Sequence, residues 1–495
     1  MSAVGEAGTT ILRDTIASAI RSAESLVRAV RAAAQAWQGP MSAYRDAPVV
    51  LTNVRLVDLD AERADERPSD IEIERGRISK IAPTGEMDSR GRKVVAGQNR
   101  FALPGLIDCH IHVSGILITE PPGVADFGWM VRQIFLNHRV QIQSGVTLVR
   151  DMMSVLRASL LLRSVAEDPC SGFPRVLCAG PMLTVAGGYP PYIPGDQLCQ
   201  RILGGPLKLE LRDERDAVAW VDRLADAGID WVKVGYQSAL FDVARTPMQK
   251  PSPELFKAIV DRAHRRGLPV AVHHYWIEDL KKLLDLPFDT LEHITEDGEI
   301  DSRTIERLAE RSLPVTTDLE QSAFAHEPEK FLKKIADGTD HLLPRPRRDI
   351  ARLLEDVAAG RDIYALKPRR KIMDLAFVKD FVLQKARNAK RLSDAGILLG
   401  AASDSGVHMM MGILPDELCR MAGAGIANAK VLRSATADAA KLLRVPDVGR
   451  LKPGYRADIV LYDENPLEHM ASIRKPALVM RDGVPQTATA SPTPA

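Results

Sequence analysis

The spacing of apolar residues changes character several times along this chain. In residues 1–45, most clearly in "ILRDTIASAIRSAESLVRAVRAAAQAW", apolar positions recur at helical spacing, broken by Arg, Asp and Glu. The pattern predicts an amphipathic N-terminal helix that docks on the body of the protein or on a second subunit; binding at a membrane surface is the other reading. No uninterrupted apolar stretch of about 20 residues occurs there, so no signal peptide or membrane span is expected. From 46 to 101 the period falls to two, in "VVLTNVRLVDL" and "DIEIERGRISKIAP" with a turn at Gly76, which predicts short antiparallel strands. The same texture returns over 446–484 in "ADIVLYDENPL" and "PALVMRDGV". The two chain ends are therefore expected to complete one small β-sandwich domain.

Between them, over 102–445, β-branched apolar runs alternate with helical segments, the signature of βα units around a parallel sheet. The runs are "FALPGLIDCHIH", "VTLVRD", "PRVLCAG", "IDWVKVG", "LPVAVHH", "FDTLEHI", "LPVTTD" and "ILLGAASDSG". Eight such strands closed in a ring make an α/β fold, the (β/α)8 TIM barrel. The longest connection carries a helical insertion at about 320–390, where the basic clusters "PRPRRDIARLL" and "KPRRK" read as solvated helix faces. Residues 485–495 are low in complexity and are expected to form a disordered tail.

Polar residues cluster at the C-terminal ends of the eight runs: His110 and His112, Arg150 and Asp151, Lys233, His273, His293, Asp318 and Asp404. In a TIM barrel those ends form the floor of the active site, so residues far apart in sequence converge. Positions i and i+2 of a strand point the same way, so His110 and His112 can direct two nitrogens at one divalent ion. His-X-His is often innocent by itself; the further donors at other strand ends make a metal site the expected reading. Lys233 lies in an apolar strand, where an unpaired ammonium is costly, so it needs a strong partner, a salt bridge or something else.

Composition narrows the partners more than the chemistry. Lys+Arg 66 against Asp+Glu 65 leaves a net charge of +1, so no global field favours nucleic acid or anionic lipid. Cys109, Cys170, Cys178, Cys199 and Cys419 are odd in number and never form a CxxC pair, which argues against a disulfide framework or thiolate zinc site and suits a reducing cytoplasm. No G-x-S-x-G elbow is present.

The segments "LPGLIDCHIH", "WVKVG", "VAVHH", "LEH", "SDSG" and "SATADAAKLLRVPDVGRLKPGYRADIVLYDENPL" resemble the metal-dependent amidohydrolase superfamily, notably its amidase, Xaa-Pro dipeptidase and aminoacylase-like branch. The likeness spans about residues 48–484 and leaves out the N-terminal helix and much of the insertion. It implies a binuclear centre, usually two zinc ions. His110, His112 and Asp404 would hold a buried metal, His273 and His293 a more exposed one, and Lys233, carboxylated by CO2, would bridge them. A mononuclear site with unmodified Lys233 is the fallback. His274 should face away from His273, which the motif favours as the ligand.

The resemblance further implies that a metal-bridging hydroxide attacks an amide-type C–N bond, in a peptide-like, N-acyl amino acid, carbamate or urea substrate, with Asp404 as the proton shuttle. The same centre could serve esters, lactones or organophosphates, and a non-catalytic scaffold is the rival from another class. This chain has "HHYW" where the family often has His-Ala-His-Gly, which puts the usual substrate contact there in doubt. Tyr189, Tyr192, Tyr236, Trp276 and His408, with Thr184 and Met409 to Met411, fall in rim loops and are expected to line an apolar, aromatic substrate pocket. Arg150 and Asp151 are expected to pair beneath the site. His138, His264, His326, His341 and His469 are expected to play no part in it. A small-molecule substrate, no nucleic acid, and a homo-oligomer complete the expectations.

Overall fold

The computed structural model describes residues 40–486 except 46, 114, 116–126, 191–204, 241–244, 322–328, 330–331, 334–343, 360–374 and 407–410. Most of the expected N-terminal helix, whose last residues Pro40–Tyr44 form a short 3-10 helix, most of the expected tail, Tyr192, Cys199, His326, His341, His408, Met409 and Met410 lie outside the described residues. The strands are β1 Val49–Asp58, β2 Arg63–Ala64, β3 Ser69–Glu74, β4 Arg77–Pro83, β5 Lys93–Pro104, β6 Leu106–Ile111, β7 Val146–Asp151, β8 Arg175–Cys178 and β9 Met182–Val185. They continue as β10 Lys208–Leu211, β11 Val232–Gly235, β12 Val270–His273, β13 Thr290–Glu292, β14 Val315–Thr316, β15 Leu399–Gly400, β16 Ile459–Tyr462, β17 Leu478–Arg481 and β18 Val484–Pro485.

Both chain ends enter one eight-stranded sheet, ordered β18-β17-β16-β5-β1-β3-β4 with β2 beside β1. The joint is the antiparallel pair of β16 and β5, with Val460 opposite Leu103 and Leu461 opposite Ala102. Alternation along β16 serves two cores at once. Ile459 and Leu461 join Val49, Leu51, Ile71 and Ile73 on one face, while Val460 and Tyr462 join the barrel core on the other. Arg175, at the start of β8, reaches across to Asp458 at 2.5 Å and Asp482 at 2.9 Å, so ion pairs reinforce the apolar contact between sheet and barrel.

The barrel strands are β6, β7, β8, β11, β12, β13, β14 and β15, and the ladder pairs among them are parallel. The ring closes where Cys109 N donates to Ala401 O at 2.9 Å and His112 N to Ser405 O at 2.8 Å. Between β8 and β11 the ladder is replaced by bonds from Asp230 N and Trp231 N to Cys178 O. Two strands that the eight-run reading does not contain, β9 and β10, sit here, with β9 pairing β11. Four residues each are too few for a period to stand out in the sequence.

Outer helices follow from caps and stripes. In Pro253–Arg265 the Ser252 side chain accepts from Leu255 N, Pro253 occupies the first turn, and Leu255, Phe256, Ile259, Val260 and Ala263 make one buried face. Asp213 and Asp301 cap Glu214–Asp226 and Ser302–Glu310 in the same way. Among the described residues no helix is long and apolar enough to cross a membrane.

Phe256 is fully buried, with Tyr236 and Phe288 rings 5.8 Å and 6.5 Å away. Phe256→Ala is expected to lower unfolding free energy by about 3–5 kcal/mol in urea titration. A loss below about 1 kcal/mol would show that this helix does not brace the β11 side of the barrel.

Candidate metal centre

Ladder register sets the level of each side chain at the barrel mouth. Gly235 lies opposite His273 and His273 opposite Glu292, while Lys233 pairs Ala271 one pleat lower. β6 delivers His110 at its end and His112 just beyond it. Asp404 follows β15, and Asp404 N donates to His110 O at 2.9 Å, which joins the two segments directly. Both Asp404 and His293 have left-handed backbones, φ 48° and 75°. At His293 that turn lets consecutive residues Glu292 and His293 both face inward, which simple alternation forbids. Gly406, at φ 111°, is obligatory, because a Cβ there would come within 2.2 Å of His112 O.

His110, His293 and Asp404 offer ligand atoms that all lie within 4.8 Å of one another, and all three residues are buried. Asp404 Oδ1 is 3.0 Å from His112 Nε2 and 3.4 Å from His110 Nε2. His273 joins them by ring contact, its centroid 4.8 Å from that of His293. The other ring nitrogens are tied back to oxygen: His110 Nδ1 to Glu292 Oε2 at 2.7 Å, His112 Nδ1 to Met153 O at 3.1 Å, and His293 Nδ1 to Asp318 Oδ2 at 2.9 Å. A nitrogen that donates to oxygen leaves the opposite lone pair free, so Nε2 of each of these rings is the one available to a cation. Burial pushes the His293 imidazole down to about 3 and those of His110 and His273 well below the usual range, which keeps them neutral. His273 differs, because its Nε2 meets Gln237 Oε1 at 2.7 Å.

Lys233 is wholly buried and its Nζ has no hydrogen-bond partner among the described residues. Burial brings its ammonium down to about 8. The donor set of neutral imidazoles, one carboxylate and an orphaned amine fits divalent cations of the zinc type.

Glu292, beside the motif histidine, escapes the sequence reading. It accepts from Arg150 at 2.7 Å, from Thr290 Oγ1 at 2.8 Å and from Thr316 Oγ1 at 3.0 Å, besides holding His110. Burial raises its carboxyl pKa, but Arg150 and Lys233 outweigh that and hold it below the usual range. Arg150 therefore pairs with Glu292 and not with Asp151, whose carboxylate instead accepts from Ser154 at 2.7 Å and Ser159 at 2.5 Å. Adjacent strand residues face opposite ways, so Arg150 turns into the barrel and Asp151 out of it. Asp108 locks β6 to the Asp404 loop by accepting from Ser403 N at 3.0 Å and Oγ at 2.6 Å.

Of the expected rim residues, Tyr189 stacks on His273 at 3.9 Å between centroids. Tyr236 does not face the centre. It shares the strand face of Val232 and Val234, opposite Lys233, and packs on Phe256 in the barrel core. Trp276 is buried between Arg245, 4.4 Å from its ring, and Phe381, and its Nε1 donates to Ala239 O at 2.9 Å. Tyr275, its neighbour, takes the place beside the histidines, stacked on His293 at 4.9 Å. His274 lies against the backbone, with Nδ1 3.1 Å from Glu292 O. His138 is buried against Val113 O, and His264 pairs with Asp289 near the surface.

A family model described as "Amidohydrolase family" matches residues 101–485. An uncharacterized protein of Mycobacterium tuberculosis is 25% identical over 391 residues, 77% of this chain and 84% of that protein. Among solved structures, a Xaa-Pro dipeptidase with methionine in its active site is similar with a TM-score of 0.69 at 19% identity, covering 89% of this chain and 99% of that one. Phenylurea hydrolase B is similar with a TM-score of 0.66 at 19% identity, covering 89% and 96%.

Glu292→Gln strips the buried Arg150 guanidinium of its carboxylate. It is expected to lose about 3–5 kcal/mol of unfolding free energy in a denaturant titration. A change under about 1 kcal/mol would remove Glu292 from its place as the anchor of this cluster.

Proposed function

The chain belongs to the amidohydrolase family, and from that premise we propose that it is a metal-dependent hydrolase of an amide-type C–N bond in a peptide-like, N-acyl amino acid, carbamate or urea substrate. In this reading His110, His112 and Asp404 would hold one cation and His273 and His293 a second, with Lys233, once carboxylated, as a ligand available to both. The observation that carries it is the buried Lys233 amine, unpartnered beside the cluster of His110, His293 and Asp404. The names of the neighbours, a dipeptidase and a phenylurea hydrolase, support a carbon–nitrogen bond as the target.

A lysine brought down to about 8 holds an appreciable neutral fraction near neutrality, and only the neutral amine attacks CO2. Counted from the ammonium, two protons leave, one to free the amine and one as the carbamate forms, so anionic oxygens replace a cation that the cluster does not want. Zinc ions bound there would lower the pKa of a shared water and polarise the substrate carbonyl. Asp404 takes the proton of the attacking water and passes it to the leaving nitrogen, which departs poorly as an unprotonated amine. Asp404 Oδ1 lies 3.0 Å from His112 Nε2 and 3.4 Å from His110 Nε2, lone pairs facing a carboxylate oxygen, so the three donors converge as a cation would require. Tyr189 and Tyr275 give the mouth an aromatic wall against the His273 and His293 half of the centre, and the protein works on a small molecule in the cytoplasm, as a homo-oligomer.

Exhaustive chelation is expected to abolish hydrolysis of an N-acyl amino acid and dipeptide panel, with zinc restoring it; full activity without metal would overturn the reading. Asp404→Asn should cut kcat by about 10²–10⁴ while retaining bound zinc, since general acid–base work is worth that much; unchanged kcat would exclude it as the proton carrier. Lys233→Ala should lose zinc and activity, with partial recovery in added short carboxylates, and wild-type zinc content in that variant would show that Lys233 is no ligand.

A further inference from the structure

In the connection between β14 and β15, the helix Leu375–Asp394 sends a charge into the barrel mouth. Lys385 is wholly buried, with Nζ 2.7 Å from Asp318 Oδ2 and 3.6 Å from Glu296 Oε2. The same Asp318 oxygen accepts from His293 Nδ1 at 2.9 Å. Lys385 Nζ also lies 5.3 Å from the centroid of the Tyr275 ring that stacks on His293. Asn388, one turn further along the helix, donates to Thr295 O at 2.8 Å and Gly298 O at 2.9 Å, and so clamps the loop that follows His293.

A buried ammonium is strongly unfavourable unless its geometry serves a partner, and apolar side chains of equal volume would pack this helix as well. What Lys385 adds is direction. Its bond to Oδ2 orients the Asp318 carboxylate, and that oxygen accepts the hydrogen bond from His293 Nδ1–H, which leaves Nε2 as the nitrogen facing the cluster.

We propose that Lys385 is a positioning residue of the metal centre, holding Asp318 so that His293 presents Nε2, and that the inserted helix thereby sets how tightly the His273 and His293 half of the site binds its cation. The inference rests on the two-cation reading above.

The test uses the full chain and zinc alone. Zinc retained against a graded series of chelator is counted by elemental analysis in wild type, Lys385→Met and Lys385→Arg, with circular dichroism and melting temperature alongside. Wild type is expected to hold two equivalents. Lys385→Met should hold one as before and bind the other about 10–100-fold more weakly, and Lys385→Arg should recover much of the loss. Lys385→Gln, which keeps a neutral donor in the same space, gives the same reading if the methionine variant does not fold. A fall in melting temperature with both zinc affinities unchanged would overturn the inference and leave the proposed function standing. A wild-type protein that binds no zinc would overturn both.

Discussion

Everything at the barrel mouth depends on how a low-dielectric floor accommodates two buried cationic side chains. Arg150 and Lys233 both sit fully buried beneath the histidines, where isolated charge is prohibitive. Glu292 meets that constraint for Arg150 and in the same stroke orients His110. Lys233 it does not reach by a hydrogen bond, and among the described residues the amine has no hydrogen-bond partner. The unsatisfied amine and the nearby neutral imidazoles are complementary: in the proposed reading an anionic lysine adduct with divalent cations would satisfy both.

The same economy runs outward through the fold. Three imidazoles donate backwards to a carboxylate or carbonyl and expose the opposite nitrogen, so the scaffold spends its acceptors Glu292, Asp318 and Met153 O on orientation. Ring closure between β6 and β15 matters for the same reason, since it brings His110 and Asp404 into main-chain contact across nearly the whole barrel sequence. The sheet built from both chain ends anchors that closure: β5 runs into β6, and β16 pairs with β5.

Much of this arrangement is legible in the amino-acid sequence. Period-two alternation placed His110 and His112 together, and the convergence of parallel strand ends placed Lys233, His273, His293 and Asp404 near them. The same rule, followed two residues further along β11, would have put Tyr236 with Val232 and Val234 in the packing layer, away from the centre. Glu292 and Tyr275 were hidden for a different reason. Each adjoins a motif histidine, where alternation assigns it to the opposite face, and only the left-handed backbone at His293 brings Glu292 and His293 inward together. The partner of Arg150 was equally hidden, because a long side chain crosses the barrel to a strand far away in sequence, whereas Asp151 is merely next to it. Short strands such as β9 and β10, and a buried lysine on an inserted helix, leave no periodic trace at all.

The central claim is that six side chains grip a pair of cations at this mouth. Crystals grown with zinc and measured across its absorption edge test it most directly. Two anomalous peaks should appear, one among His110, His112 and Asp404, the other beside His273 and His293, with density for a carboxylated Lys233 between them. An absence of peaks at the mouth, or zinc bound only elsewhere on the protein, would contradict the account.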